Sequence, residues 1–258
     1  MSIQLLPRDM AGLTITAEQW GGPRDVIAEM LGVSLNRGYR ITAKWEAAGM
    51  ISPKRVRPVP GPSWVFPTKG AASALLGRSV RYWVPTPKMA AHTKAAFQLR
   101  LALTGMDLER WISERTLRAE APIVAAGQPR PHIHDGRYYD SAGDLWAVEV
   151  ELTAKNIAEA RSSVVRARLT AERAGCAGLT YYCRGEAVKT VVRSAAAGLD
   201  LSSGPKLTLV DLDEFLAAKK AESCSAAARP GLRVIAGGAA DHETTQVTNR
   251  NEGKAVGS

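Results

Sequence analysis

Residues 131–155, PHIHDGRYYDSAGDLWAVEVELTAK, hold the side chains best suited to chemistry. Asp135 ends a short β-like run, a turn-rich Ser141-Ala142-Gly143-Asp144 follows, and an apolar run over 145–152 carries Glu149 and Glu151. Side chains two apart on a strand point to one face, so the glutamates share a face and Val148, Val150 and Leu152 share the other. A hairpin turning near Gly143 folds Asp135 back towards the glutamates. Like charges gathered in this way repel and need a neutraliser. A divalent cation with oxygen ligands (Mg²⁺ or Mn²⁺) would serve, as would Lys155. That arrangement suits phosphodiester hydrolysis, in which a metal lowers the pKa of a water and offsets charge on the phosphate. His132 and His134, also two apart, admit a different reading, a transition-metal site completed by Asp135. A plainer one is an amphipathic strand, since alternating Val and Glu also marks a wet face.

Something must hold a polyanion against such a site, and the totals favour one. The 258 residues carry a formal charge of +9 and are 45% hydrophobic, an ordinary globular composition with a basic balance. That balance favours nucleic acid as partner. The three cysteines (Cys176, Cys183 and Cys224) have no CxxC spacing, so neither a disulfide framework nor a zinc cluster is expected. A reducing, cytoplasmic setting fits. The opening MSIQLLPRDM lacks the pattern of a signal peptide, and no apolar run is long enough to span a membrane.

The positive charge is concentrated at the start, with eleven Lys and Arg against five Asp and Glu over residues 1–85. Residues 16–30 read as helical, broken at Gly21-Gly22-Pro23, with a new helix over 24–31. Gly32 turns the chain, Ser34 is a good N-cap, and the next helix runs over 35–48 to Gly49. Ile41, Trp45 and Ala48 form its inward stripe, while Arg37, Arg40 and Lys44 form a basic one, with Asn36 near its start. Two helices around a tight turn, the second with an exposed basic face, are the helix-turn-helix layout. Arg and Asn can read base edges there, and Lys can meet phosphates. Strands at Met50-Ile51 and Trp64-Val65-Phe66 flank a loop carrying Lys54, Arg55 and Arg57, which resembles the wing of a winged helix. Asn36, Arg37, Arg40, Lys44, Lys54, Arg55 and Arg57 are therefore the expected contacts to double-stranded DNA.

Proline-rich residues 81–87 read as a linker. Helices are expected over 90–103, 111–120, 156–174, 185–197 and 212–220, and strands over 179–183 and 206–210. Thr153 is the expected cap of the 156–174 helix. His92 reads as an ordinary helix histidine, and Glu114 as a partner of Arg110 or Arg118 or as an outer ligand. This order gives an α/β fold, a winged helix-turn-helix over 1–85 followed by an α/β domain with a mixed sheet over 86–220. Residues 221–258 are too poor in bulky apolar side chains to fold alone and are expected to form a disordered tail.

Asp135, Glu149-x-Glu151 and Lys155 together resemble the PD-(D/E)xK nuclease superfamily. The resemblance implies Asp135 and Glu149 as metal ligands and Glu151 as base or water-orienting group. Glu151 stands where that pattern has Lys, so Lys155 would supply the ammonium. Residues 16–216 also resemble the replication-relaxation family of plasmids and integrative elements. The matching pieces are the winged-helix start, Trp111-x-Ser113-Glu114-Arg115, His134-Asp135-Gly136 and AVEVELTAK at 147–155. That likeness implies a DNA-binding protein serving replication or transfer of a mobile element. Metal-dependent cleavage and a nuclease-like scaffold that only binds DNA, as a regulator would, are both compatible with it. A homodimer is equally compatible, and no motif fixes a half-site spacing.

Overall fold

The computed structural model describes residues 3–125, 127, 128 and 130–227. It is a mixed α/β fold built on two cores that share one long helix. α1 (Pro7–Glu18) begins with Pro7 in its first turn, and Asp9 reaches back to accept the Leu6 N–H at 2.9 Å. The break expected at Gly21-Gly22-Pro23 is present as a two-residue strand β1 (Gly22–Pro23), and the helix expected over 24–31 is α2 (Arg24–Met30). α3 (Leu35–Ala47) follows across Gly32, whose φ of +61° suits glycine. β2 (Trp64–Val65) pairs antiparallel with β1. The strand expected at Met50-Ile51 is reduced to single bridges, Ile51 to Pro67 and Val56 to Trp64, because prolines interrupt the loop between them. α4 (Lys69–Leu75) closes this part.

Arg24 knits it together. The side chain is 3% exposed, its Nε donates to Ser63 Oγ at 3.0 Å, its Nη1 bonds Thr42 Oγ1, and its guanidinium lies 4.9 Å from the Tyr39 ring centroid. α3 also approaches α2 so closely that a Cβ on Gly38 would stand 2.8 Å from the Ala28 Cβ. Trp45, fully buried on the inner face of α3, donates its Nε1–H to Asp9 Oδ1 at 3.0 Å.

α5 (Pro87–Thr104) is apolar on two sides. Phe97 joins the core of α1, α2, α3 and β2, while Ala95, Ala96 and Leu99 join the core under the sheet. Each large apolar side chain so buried contributes about 1.5–3 kcal/mol. The five-stranded sheet has the order β3 (Trp111–Ser113), β4 (Gly136–Tyr139), β5 (Leu145–Glu151), β6 (Gly178–Cys183) and β7 (Lys206–Asp211). The first three strands are antiparallel and the last three parallel. The helix expected over 111–120 is thus a strand followed by α6 (Glu114–Glu120), with Ser113 as N-cap accepting from the Thr116 N–H at 3.2 Å. α7 (Ile157–Arg173) and α8 (Glu186–Ala196) cover one face, α5 and α9 (Leu212–Ala227) the other. Residues 221–227 continue α9. The rest of the expected tail, 228–258, lies outside the described residues.

The β4–β5 hairpin turns where its sequence requires. Asp140 Oδ1 accepts from the Ala142 and Asp144 N–H groups at 2.8 and 3.0 Å, and Gly143 takes φ +88°. Gly136 has to be glycine, since a Cβ there would stand 2.2 Å from the Trp111 ring.

The two parts meet in a polar seam. Trp20, in the left-handed region at φ +65°, donates its Nε1–H to Glu114 Oε2 at 3.2 Å. The Arg115 guanidinium stacks 4.3 Å from the Trp20 ring and donates to Ala17 O at 2.8 Å and Arg81 O at 3.2 Å. Arg100, fully buried, pairs with Glu18 at 3.0 Å. Of the expected linker over 81–87, residues 81–86 have no regular structure and Pro87 opens α5, while Arg81 O joins this seam through Arg115. Among the described residues no helix is long and apolar enough to cross a membrane.

Candidate active site

β4 stops at Gly136, leaving the β5 N–H of Val150 without a backbone partner on that side. The Asp135 carboxylate takes the vacant place, its Oδ2 accepting that N–H at 2.7 Å. Asp135 therefore sits in the bend that leads into β4, not at the end of a strand as its sequence suggests. The same oxygen meets His92 Nε2, from α5, at 3.1 Å. Burial alone would lower the His92 pKa, but the bond to Asp135 and the nearby charges of Asp135, Glu114 and Glu149 carry it up to about 9. The ring is thus an imidazolium at neutral pH and donates to Asp135.

Glu149 and Glu151 do share one face of β5, the face turned to α7 and α8, while Val148 and Val150 face the α5 side. Glu149 Oε1 lies 2.7 Å from His132 Nε2. Burial first, and the charge of Asp135 second, push the Glu149 carboxyl well above the usual range, with Lys155 and His92 opposing. Burial likewise lowers the pKa of His132. Glu151 Oε2 pairs with Lys155 Nζ at 2.5 Å. Lys155 lies in the loop before α7 and not on the helix. The N-cap is Asn156, whose side chain accepts from the Glu159 N–H at 2.9 Å, so the expected Thr153 cap is displaced by three residues.

Each carboxylate is thus oriented through one oxygen by a basic side chain: His92 on Asp135, His132 on Glu149, Lys155 on Glu151. Asp135 Oδ1, Glu149 Oε2 and Glu151 Oε1 make no hydrogen bond among the described residues and are not among the buried orphaned atoms. Hard cations such as Mg²⁺ take one or two such carboxylate oxygens plus waters. Asp135 and Glu149 offer oxygen donors of that kind. Three candidate ligand atoms do close to within 4.8 Å of one another, but they belong to His132, His134 and Glu149, and the set does not include Asp135.

Searches of protein-family models, curated proteins and solved structures find no match to this chain.

A small cleft lined by Glu18, Gln19, Trp20, His92, Glu114 and Asp135 opens at the seam beside this site. Glu114 faces it while bonding Arg118 at 2.5 Å, so it pairs as an ordinary helix residue yet adds negative charge near His92. His92 was the site residue least visible in the sequence. His92 is 43 positions from Asp135, and no spacing rule spans that gap. His132 carried a signal, since it lies just upstream of a strand that pairs with the one bearing Glu149.

On the basic face, Asn36, Arg37 and Arg40 are exposed on α3, and Lys54 and Arg57 on the loop. Among the described residues no ion pair involves Arg37, Arg40, Lys54 or Arg57. Lys44 also has a partner within the protein. It is 34% exposed and bonds the buried Asp9 at 2.8 Å. Arg55 pairs with Glu46 through both nitrogens, at 2.7 and 3.2 Å. Lys44 and Arg55 are therefore committed within the protein, which their stripe and loop positions gave no means of foreseeing.

Proposed function

We propose that the chain binds double-stranded DNA through α3 and the loop after it, and cleaves or nicks that DNA at the Asp135–Glu149 site with Mg²⁺ or Mn²⁺. The observation that carries this reading is that Asp135, in the bend before β4, accepts the N–H of Val150 beside Glu149 on β5, and each of the two carboxyl groups keeps an oxygen free of hydrogen bonds among the described residues. In the PD-(D/E)xK pattern that the sequence resembles, these are the metal-binding carboxylates. A winged helix-turn-helix reading of residues 1–85 is supported by the order α1, β1, α2, α3 and β2 with a basic loop between α3 and β2. The resemblance to the replication-relaxation family suggests a place in replication or transfer of a plasmid or mobile element.

In this reading Asp135 and Glu149 would hold the metal, which would supply a water of lowered pKa and offset charge on the phosphate. Glu151, oriented by its contact with Lys155, would orient or deprotonate that water. His92 fixes the Asp135 carboxylate. One observation favours a second reading, a DNA-binding regulator on a nuclease-like scaffold. Glu151 stands where the pattern has Lys, and its nearest ammonium is bound to it.

Supercoiled plasmid incubated with Mg²⁺ or Mn²⁺ separates the two readings. Nicking by the wild type that is lost in Asp135→Asn/Glu149→Gln supports the enzyme. Intact plasmid with a retarded band for both proteins supports the regulator. No retarded band for either overturns both.

A further inference from the structure

The geometry points to a transition-metal site at His132, His134 and Glu149, suited to a borderline ion such as Zn²⁺ and distinct in its donors from the oxygen-ligand site proposed above. The three side chains offer ligand atoms within 4.8 Å of one another, and Glu149 is 8% exposed and His134 fully buried. Two imidazoles and one carboxylate are a donor set that borderline ions favour and Mg²⁺ does not. Three protein ligands also leave a position open for water or substrate.

His134 is oriented as a metal-binding histidine is. Its Nε2 donates to the Ala167 carbonyl of α7 at 3.0 Å, which fixes the tautomer and leaves the lone pair on Nδ1. A ring nitrogen held on a backbone carbonyl is the usual outer support of a metal-bound imidazole. The Nδ1 lone pair receives the Arg137 Nε–H at 3.2 Å. His132 lies edge-on to His134, with ring centroids 5.3 Å apart, and its Nε2 reaches Glu149 Oε1. A cation bound by the two rings and Glu149 would replace the Arg137 N–H on His134 Nδ1 and the His132–Glu149 bond. Arg137, half-buried at the start of β4, then turns outward. The sequence alone suggested Asp135 as third ligand, but Asp135 is turned instead towards Val150 and His92.

The site shares Glu149 with the proposed nuclease site but does not rest on that proposal, and its test needs no DNA. Zn²⁺ is titrated calorimetrically into the metal-free full chain in the presence of excess Mg²⁺. One Zn²⁺ should bind, and His132→Ala and Glu149→Gln should each weaken it by about tenfold or more, the scale set by losing even an outer support. Asp135→Asn, which should abolish nicking, should leave Zn²⁺ affinity unchanged. Arg137→Ala should tighten binding several-fold by freeing Nδ1. X-ray absorption at the zinc edge of the wild type should show two imidazole ligands, a readout that holds even if a variant misfolds. Zn²⁺ affinity unchanged in His132→Ala, lost in Asp135→Asn, or without imidazole in its absorption spectrum overturns the inference. Failure of nicking with Zn²⁺ binding intact would count against the nuclease reading alone.

Discussion

Replacing Arg37, Arg40 and Arg57 together by Ala tests which cations meet DNA. The three are exposed and, among the described residues, free of ion pairs, whereas Lys44 and Arg55 are engaged by Asp9 and Glu46. A cation that neutralises a phosphate releases condensed counterions and adds about 0.9 to the slope of log K against log salt. If all three touch phosphates, the triple variant loses about 2.7 from that slope. Raising salt from about 50 to 200 mM would then weaken it about 40-fold less than the wild type. Its melting temperature should not change, since none of the three supports the fold. Lys44→Ala should behave oppositely. It strips the buried Asp9 of one partner and should cost about 1 kcal/mol of stability, with the salt slope intact. Fluorescence anisotropy on a labelled duplex at four salt concentrations, with thermal melts alongside, measures both. An unchanged slope in the triple variant, or a reduced one in Lys44→Ala, would refute the assignment of the DNA-facing surface.

The His92 pair gives a pH signature. Its raised pKa means the contribution to stability is complete below about 6.5, the unfolded value, and is lost as pH rises through about 9. Imidazole NMR should place the His92 titration near 9 and show it falling towards the ordinary value in Asp135→Asn. The same titration in both proteins would disprove the contact. Asp9 has the opposite sign. Burial raises its pKa, but bonds from Lys44, Leu6 N–H and Trp45 outweigh that and lower it, so its contribution is present above about pH 4 and lost as pH falls below. Urea unfolding at several pH values should show a shallower acid limb in Asp9→Asn, and an identical limb would contradict the role. Gly38→Ala should destabilise by about 1–3 kcal/mol, because the Ala28 contact at 2.8 Å outweighs the gain in helix propensity. A more stable variant in chemical denaturation would show that α2 and α3 can separate without cost.

Much of this architecture could be read from the chain because its signals are local. The β4–β5 turn is written in Asp140 and Gly143, and α3 in the spacing of Ile41 and Trp45. Local signals misled where a neighbour decides. Trp111-Ile112-Ser113 has helical company in sequence, yet it becomes a strand because β4 offers it an edge. Asn156 displaced Thr153 as a cap because β5 ends at Glu151 and the chain needs five residues to turn onto the sheet. Glu149 and Glu151 were legible from their period of two and Lys155 from its closeness in the chain, whereas the partner of Asp135 was not. His92 arrives from a helix that shares two cores, and the commitment of Lys44 depends on α1, 35 positions away.

The central claim is that one body carries both the DNA-holding face and the carboxylate site, joined by Trp20, Glu114, Arg115 and the Arg100–Glu18 pair. The most direct test maps the protein's footprint and its Mg²⁺- or Mn²⁺-dependent break on the same end-labelled duplex. The account predicts breaks at one constant offset from the protected stretch, lost in Asp135→Asn/Glu149→Gln. Breaks at variable offsets, or breaks that persist in that variant, would contradict it.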